Sequence, residues 1–496
     1  MIRHLFAAAL ALSPSCLAPR AFSADAEPQP PRTATAPPQA APPNASQPSQ
    51  QDSDLDRLPP SSPETSADPK PAATKGANQR IYVEDAFILS SERDGLAVPS
   101  PQLTAPSWQE RLFLDLRKQW NLAEGLNFTL SDRFNFRAEP DVTFPSGENF
   151  LNEFREGYLS WEPRDRLYLD VGRINLRSGA ALGFNPTDFF KTRAVIEPLS
   201  ADPSVLREDR LGAFMIQGQY IGQGRTLLIA IAPPLAHTTP IYSNTNLPSI
   251  NPAFGRTNDH TRLLVKGSAN LGSDFSPELL FYREGNRNKV GANLTRRFGQ
   301  RVIAYAEWAG GNRSNLVEEA LRFGRETGTL PDNAPSPIPA DPTVHFFNDL
   351  STGASYTTST KITFNLEYHF HQAGFSASDW RSWFDTGQGQ PGSSPTAREL
   401  WYIRAYALDQ QEPIAKNSVF LRADWIDAFI PHFELTGFIN TDMHDGSSLF
   451  QIAADYYLSN AWTVGAQVSA DVGGRRSDFG SLPQSTAILF KVARYF

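Results

Sequence analysis

In KITFNLEYHFH, residues 361–371, Ile362, Phe364, Leu366, Tyr368 and Phe370 fall on alternate positions. Lys361, Thr363, Asn365, Glu367, His369 and His371 fill the positions between. A strand sends successive side chains to opposite faces and so separates the two sets, whereas a helix would mix them. LNFTLSDRFNF (126–136) repeats the pattern, with Leu126, Phe128, Leu130, Phe134 and Phe136 against Asn127, Thr129, Ser131, Arg133 and Asn135; Asp132 is its one misfit. SLFQIAADYYL (448–458) and AWTVGAQVSAD (461–471) follow it too, and 166–173, 261–271, 288–298 and 418–427 do so with more errors.

These alternating segments run about nine to twelve residues, longer than the five or six usual in soluble sheets, and they suit a tilted membrane-crossing strand of about nine to eleven. Short turns such as Gly285-Asn286, Asp445-Gly446 and Leu458-Ser459-Asn460 alternate with long loops near 234–259, 310–349 and 372–397. The expectation is short turns at one end and long loops at the other. Trp120, Trp161, Trp308, Trp425 and Trp462 fall near strand ends, where interfacial aromatic girdles lie. Lipid offers no hydrogen-bond partners, so a spanning sheet must close on itself. The pattern therefore predicts an all-β protein: a closed antiparallel transmembrane β-barrel of about 18 strands (16–18) over residues 109–496. On this reading Arg133, Lys361, Glu367, His369, His371, Arg422 and Asp424 line the lumen.

The chain before residue 109 differs. Residues 1–26 carry Arg3, the apolar run Leu5 to Leu12 and Ala24-Asp25-Ala26, the layout of a cleaved export signal. The sole cysteine, Cys16, lies within it, so the mature chain forms no disulfide; the alternative is a lipoprotein signal that retains Cys16. From Glu27 to Arg80 there are no aromatic residues and 13 of the 40 prolines, which predicts a disordered linker on the periplasmic side. Residues 81–108 then form a lead-in segment. A net charge of -8 gives no support to a nucleic-acid partner, and a mean hydropathy of -0.38 excludes a bundle of apolar helices.

Two stretches carry a resemblance. ILFKVARYF, with Ile488, Phe490, Val492 and the terminal Phe496, resembles the assembly signal of Gram-negative outer-membrane barrels. Arg494 falls on the outward side of that strand and is expected at the periplasmic interface, snorkelling to headgroups. GRINLRSGAALGFNPTDFF (172–190) resembles a junction in substrate-selective porin-like channels, including the alginate-export type, through Gly172, Arg173, Arg177, Gly179, Asn185, Pro186, Asp188 and Phe189. The resemblance implies a channel for passive or facilitated passage of polar, anionic small solutes or a polysaccharide. Arg173 and the charged inward loop that follows it, with Arg177, Asp188, Lys191, Arg193 and Glu197, would form the pore constriction, its cations attracting a carboxylate or phosphate group. It further implies outer-membrane location, lipid, lipopolysaccharide and the barrel-assembly machinery as partners, and no cofactor. His369 and His371 are two apart on one face, but with no cysteine or further histidine nearby they assign no metal. The alternatives are a barrel hydrolase of lipase or esterase type, for which no GxSxG elbow occurs, and a structural barrel without transport.

Overall fold

The computed structural model describes residues 79–101, 106–140, 150–196, 200–241, 252–272, 274–333 and 335–496; the expected signal, Cys16, most of the linker and Glu197 lie outside them. The first strands are β1 (Gln79–Glu92), β2 (Trp108–Ala123), β3 (Leu126–Ala138), β4 (Phe150–Arg164), β5 (Leu167–Ile174) and β6 (Ala213–Gly222). They continue as β7 (Arg225–Ala232), β8 (Arg262–Ala269), β9 (Phe275–Glu284), β10 (Arg287–Phe298), β11 (Val302–Arg313) and β12 (His345–Thr357). The last are β13 (Ile362–His371), β14 (Asn417–Trp425), β15 (Phe433–Asp442), β16 (Ser448–Ser459), β17 (Trp462–Val472) and β18 (Gln484–Tyr495). Among the described residues, five α-helices sit in the connections: α1 (Pro203–Glu208), α2 (Phe254–Thr257), α3 (Leu316–Glu326), α4 (Ala377–Gly387) and α5 (Pro395–Asp409).

Each strand pairs antiparallel with its neighbours in sequence, and β1 pairs with both β2 and β18, so the 18-stranded sheet is a closed ring. Tyr82 marks the seam, opposite Asp115 on one side and Tyr495 on the other. Phe496 donates its N–H to Ile81 O at 3.0 Å. The strand that completes the ring is drawn from the expected lead-in. In QRIYVEDAFILSSE the outward row Ile81, Val83, Phe87 and Leu89 is interrupted by Asp85, which masks the alternation.

Neighbouring side chains then part as the sequence pattern requires: Leu366 is 55% exposed and Glu367 beside it 1%. On a closed ring an exposed apolar outer face suits only lipid. No helix among the described residues is long and apolar enough to cross a membrane. Asp132 falls on the outer face, where Asn152 of β4 donates to it at 2.7 Å and satisfies the misfit locally. Trp120, Trp161, Trp425 and Trp462 gather at the end of the barrel that holds the terminus, whereas Trp308 lies within β11. Arg494 sits at that end too, its guanidinium 5.2 Å from the Trp462 ring and 4.8 Å from the Phe496 ring.

All the long connections emerge at the opposite end: 175–212, 233–261, 314–344 and 372–416. The turns at Gly285-Asn286 and Asp445-Gly446 join them there, so short turns are not confined to one end; Leu458-Ser459-Asn460 is at the terminus end. The long loops hold helices with local start signals. Asn315 accepts from Glu318 N before α3, and Ser376 and Asp379 form a capping box before α4. Their buried faces meet in one apolar core of Leu316, Leu321, Trp380, Trp383, Leu400 and Trp401, joined by Val98 of the β1–β2 loop. β1–β2 and β11–β12 are rooted on nearly opposite sides of an 18-membered ring, so this core spans the mouth at the end opposite the terminus.

Depth along a strand sets the cost of a charge on the lipid face. Leu366, midway along β13, should lose about 2–4 kcal/mol on replacement by Arg, and Phe364, nearer the terminus end, about 0–1 kcal/mol. Denaturant unfolding from lipid vesicles measures both, and equal costs would refute this placement of β13.

Candidate functional site in the barrel lumen

The connection between β5 and β6 is held by inward-facing strand residues. Ala181 N donates to Glu307 Oε1 at 2.6 Å, while Leu182 N and Gly183 N donate to Glu367 at 2.7 and 2.9 Å. Thr187 Oγ1 donates to Glu307 Oε2 at 3.1 Å, and Ser351 Oγ to Phe184 O. Further along, Ala201 N donates to Gln451 on β16 and Asp202 pairs with Arg422 on β14 at 3.3 Å. Asp209 closes the circuit on the other wall, with Arg133 at 2.8 Å and Arg155 at 3.0 Å. A segment whose partners are the inner faces of β3, β4, β11, β13, β14 and β16 lies inside the ring.

Its sequence explains how it fits there. Gly172 has φ 137, and a Cβ would strike Gly157 O and Tyr158 of β4, so glycine is required where β5 turns inward. Gly183 lies so close to the wall that a Cβ would sit 2.6 Å from both His369 Cε1 and Phe420 Cγ. Asn185 ties the turn by donating to Ser178 O at 2.7 Å. Phe189 stacks on Tyr282 at 4.7 Å, and Phe190 meets the same ring edge-on at 5.8 Å. Around them Met215, Leu228, Ala230, Leu264, Leu280 and Ala309 make an apolar patch on the inner wall. Burying the two phenylalanines contributes about 1.5–3 kcal/mol each. The patch also accounts for the poor alternation of TLLIAIA, whose two faces are both apolar because one meets lipid and the other meets the loop.

The expected loop cations have unlike surroundings. Arg173 is 1% exposed; it donates to Gly212 O at 2.8 Å and to Pro252 O, and lies between the rings of Phe154 and Phe254 at 5.6 and 5.5 Å. Lys191 is buried, donating to Asn185 O at 2.6 Å with its ammonium 4.4 Å from the Phe184 ring centre. Burial pushes its pKa down from 10.5 to about 8, against the pull of Glu412 and Asp188. Arg193 is buried between Asp409 at 3.0 Å and Asp259 at 3.4 Å. Burial acts to raise the Asp188 carboxyl, but Arg210 at 2.5 Å and Arg207 at 3.7 Å bring it below the usual range. Arg177 differs from the rest: it is half-exposed and makes neither a side-chain hydrogen bond nor an ion pair among the described residues.

The expected lumen residues divide similarly. Arg133 bonds Asp115 at 3.1 Å, Asp209 at 2.8 Å and the Tyr82 hydroxyl at 3.0 Å. Arg422 bridges Asp424 at 2.7 Å and Asp202. Glu367, His369 and His371 all face inward, His371 meeting Asp349 at 2.7 Å and Glu412 at 3.7 Å. Lys361 is a correction: it lies in the β12–β13 turn with φ 61, its side chain mostly exposed and paired with Asp427 at 2.5 Å, because the strand begins one residue later. Phe496 is at the seam, 65% exposed. No cluster of three possible metal ligands occurs among the described residues.

One arrangement resembles hydrolytic chemistry: His369 Nδ1 is 3.2 Å from Ser418 Oγ, and its Nε2 is 2.8 Å from Glu367 Oε2. Both Ser418 and His369 are buried, however, and Gly183 fills the space at the imidazole. Glu367 also accepts from Tyr305 OH at 2.6 Å. The group works as a loop anchor. Glu307 and Tyr305 were absent from the sequence reading, although their alternate positions in VIAYAEWAG place both on one inner face.

No family model matches the chain, and no curated protein is similar to it. Among solved structures, a triple mutant of the Rhodopseudomonas blastica porin aligns at 10% identity over 84% of this chain and 99% of its own, with a TM-score of 0.38. Pseudomonas aeruginosa OccK11 (OpdR) aligns at 10% identity over 84% and 95%, with a TM-score of 0.45. At such scores the likeness carries no functional argument, and the fold rests on the strand pairing itself.

Two measurements test the anchoring. Glu367→Gln replaces an acceptor oxygen by a donor and leaves Leu182 or Gly183 N–H unpaired, at about 1–3 kcal/mol. Exchange of those amides should accelerate roughly 5- to 150-fold, and unchanged rates would show the loop is held elsewhere. Lys191 has a lower pKa docked than free, so docking should strengthen as pH rises from about 8 to 10.5 and be weakest below that window. Protection factors of residues 185–191 should follow that rise, and Lys191→Met should abolish it.

Proposed function

We propose that the protein is a Gram-negative outer-membrane channel through which small polar solutes, anions in preference to cations, pass down their own gradient, with the inward loop narrowing the lumen. The carrying observation is a closed barrel, apolar outside, whose interior keeps the guanidiniums of Arg80, Arg117 and Arg177 partly exposed. Arg177 is on the loop, and Arg80 and Arg117 face one another in register on the inner wall of β1 and β2, each with a side chain 47% exposed. Their carboxylate partners are 3.6 and 3.8 Å away, so donors remain for a passing carboxylate or phosphate. In a narrow lumen with low-dielectric walls such cations act over a longer range than in bulk water.

Arg173, Lys191 and Arg193 hold the loop on this reading, since their donors already meet carbonyls and carboxylates. The apolar core across the mouth favours a small solute over a polysaccharide. The N-terminal extension lies in the periplasm, the outer face meets lipid and lipopolysaccharide, and the terminal strand with Phe496 is what the assembly machinery engages. The hydrolase reading is weaker because Ser418 has no access to substrate.

Planar bilayers provide the test. The wild-type protein should give discrete conductance steps with a reversal potential favouring anions, and Arg177→Glu should shift it toward cations. Arg173→Glu should instead lower the yield of folded barrel, because it puts a carboxylate between two phenyl rings. Absence of conductance, together with ester turnover that Ser418→Ala removes, would overturn the channel reading in favour of the hydrolase.

A further inference from the structure

The cap over the mouth and the loop in the lumen meet at one residue. Asp409 ends α5, and its carbonyl oxygen accepts the backbone N–H of Arg193 at 2.8 Å. Its carboxylate takes Arg193 Nε at 3.0 Å and Arg256 Nη2 at 2.5 Å. Arg256 in turn donates to the carbonyls of Arg193 and Val195 at 3.0 Å each, and Gln411 Nε2 donates to Lys191 O at 2.9 Å. Two cations at the carbonyl end of a helix are favourably placed.

The backbone is consistent with a clamp. Arg193 has φ 59, a left-handed conformation that a long side chain rarely adopts and that persists only where surrounding bonds over-determine it. Those bonds come mainly from α5 and from the β7–β8 loop, where Gly255 O accepts from Arg193 at 3.0 Å. The anchors of 181–187 on Glu307 and Glu367 do not touch this stretch. The other end of the connection is equally defined. Midway along α5, Arg404 lies 5.3 to 5.4 Å from the rings of Trp380, Trp383 and Trp401 and donates to Asp478 at 2.7 Å and Ser481 at 2.8 Å. One helix thus ties the β17–β18 loop and the apolar cap to the segment 191–195 inside the ring.

We propose that Asp409 is the positioning residue through which the cap sets the placement of the lumen loop, so that displacement of the cap and widening of the pore occur together. This rests on the channel reading for its functional meaning, but not for its physical test. Amide exchange on the full-length protein in detergent micelles reads the latch directly. In Asp409→Ala, exchange at residues 191–194 should rise at least tenfold while 181–183 stay as in the wild type. Asp409→Glu should restore most of the protection. Asp478→Asn, which loosens the cap from the far side, should speed exchange at 191–194 when Asp409 is present and add nothing in the Asp409→Ala background.

Single-channel recording supplies the second arm. Asp409→Ala and Arg193→Ala should each raise conductance or open-state flicker, with the double variant no greater than either. Exchange at 191–194 unchanged in Asp409→Ala, or additive effects of Asp478→Asn and Asp409→Ala, would overturn the proposal. A wild type that conducts nothing while the exchange results hold would overturn the channel reading and leave the latch standing.

Discussion

Hydrogen-bond closure of the backbone is the constraint on which everything else in this molecule depends. A strand edge facing hydrocarbon would leave its N–H and C=O groups without partners, at several kcal/mol for each group. The ring avoids that cost at the β1 seam, where a strand carrying Asp85 on its outer face still pairs on both sides with β2 and β18. Once the ring closes, side-chain alternation becomes a partition between two solvents, lipid outside and a polar interior inside. The last residue belongs to this logic: Phe496 is bonded through its own N–H to Ile81 and packs beside Arg494.

The interior meets a second constraint, the cost of burying charge. Asp115 and Asp209 are shared by Arg133 and Arg155, Glu319 and Glu412 by Arg313, and Asp409 by Arg193 and Arg256. Removing one member of such a group leaves another buried without compensation, which is more costly than the pair is stabilising. The networks therefore define geometry more than they add stability. They bring together segments distant in sequence, the lumen loop, the β7–β8 loop and α5, and fix where each cation points. Arg80, 3.6 Å from Asp115, joins that residue's cluster from its exposed side, whereas Arg177 stands outside the networks.

The strand content and its two faces were legible from the chain alone, since KITFNLEYHFH and AWTVGAQVSAD can satisfy the partition in only one register. The loop motif was legible as a motif, and its glycines have direct physical meaning at Gly172 and Gly183. Loop roles were less so. Arg173 and Arg177 are four residues apart and chemically alike, yet one is sealed between phenyl rings and the other is half-exposed. Charge in a sequence does not say what will stand opposite it. The helices α3 to α5 had local caps, but their apolar faces had no evident counterpart while they were read as loops.

By itself, then, the sequence determined the period of two, the length of the segments and so the sheet that must close, because these follow from local backbone geometry and the demand for paired amides. Tertiary structure alone decided which carboxylates hold the loop, which cations stay exposed and what spans the mouth. Those outcomes depend on residues such as Asp409 and Arg193, separated by more than two hundred positions, and proximity across that distance is set only when the ring is complete.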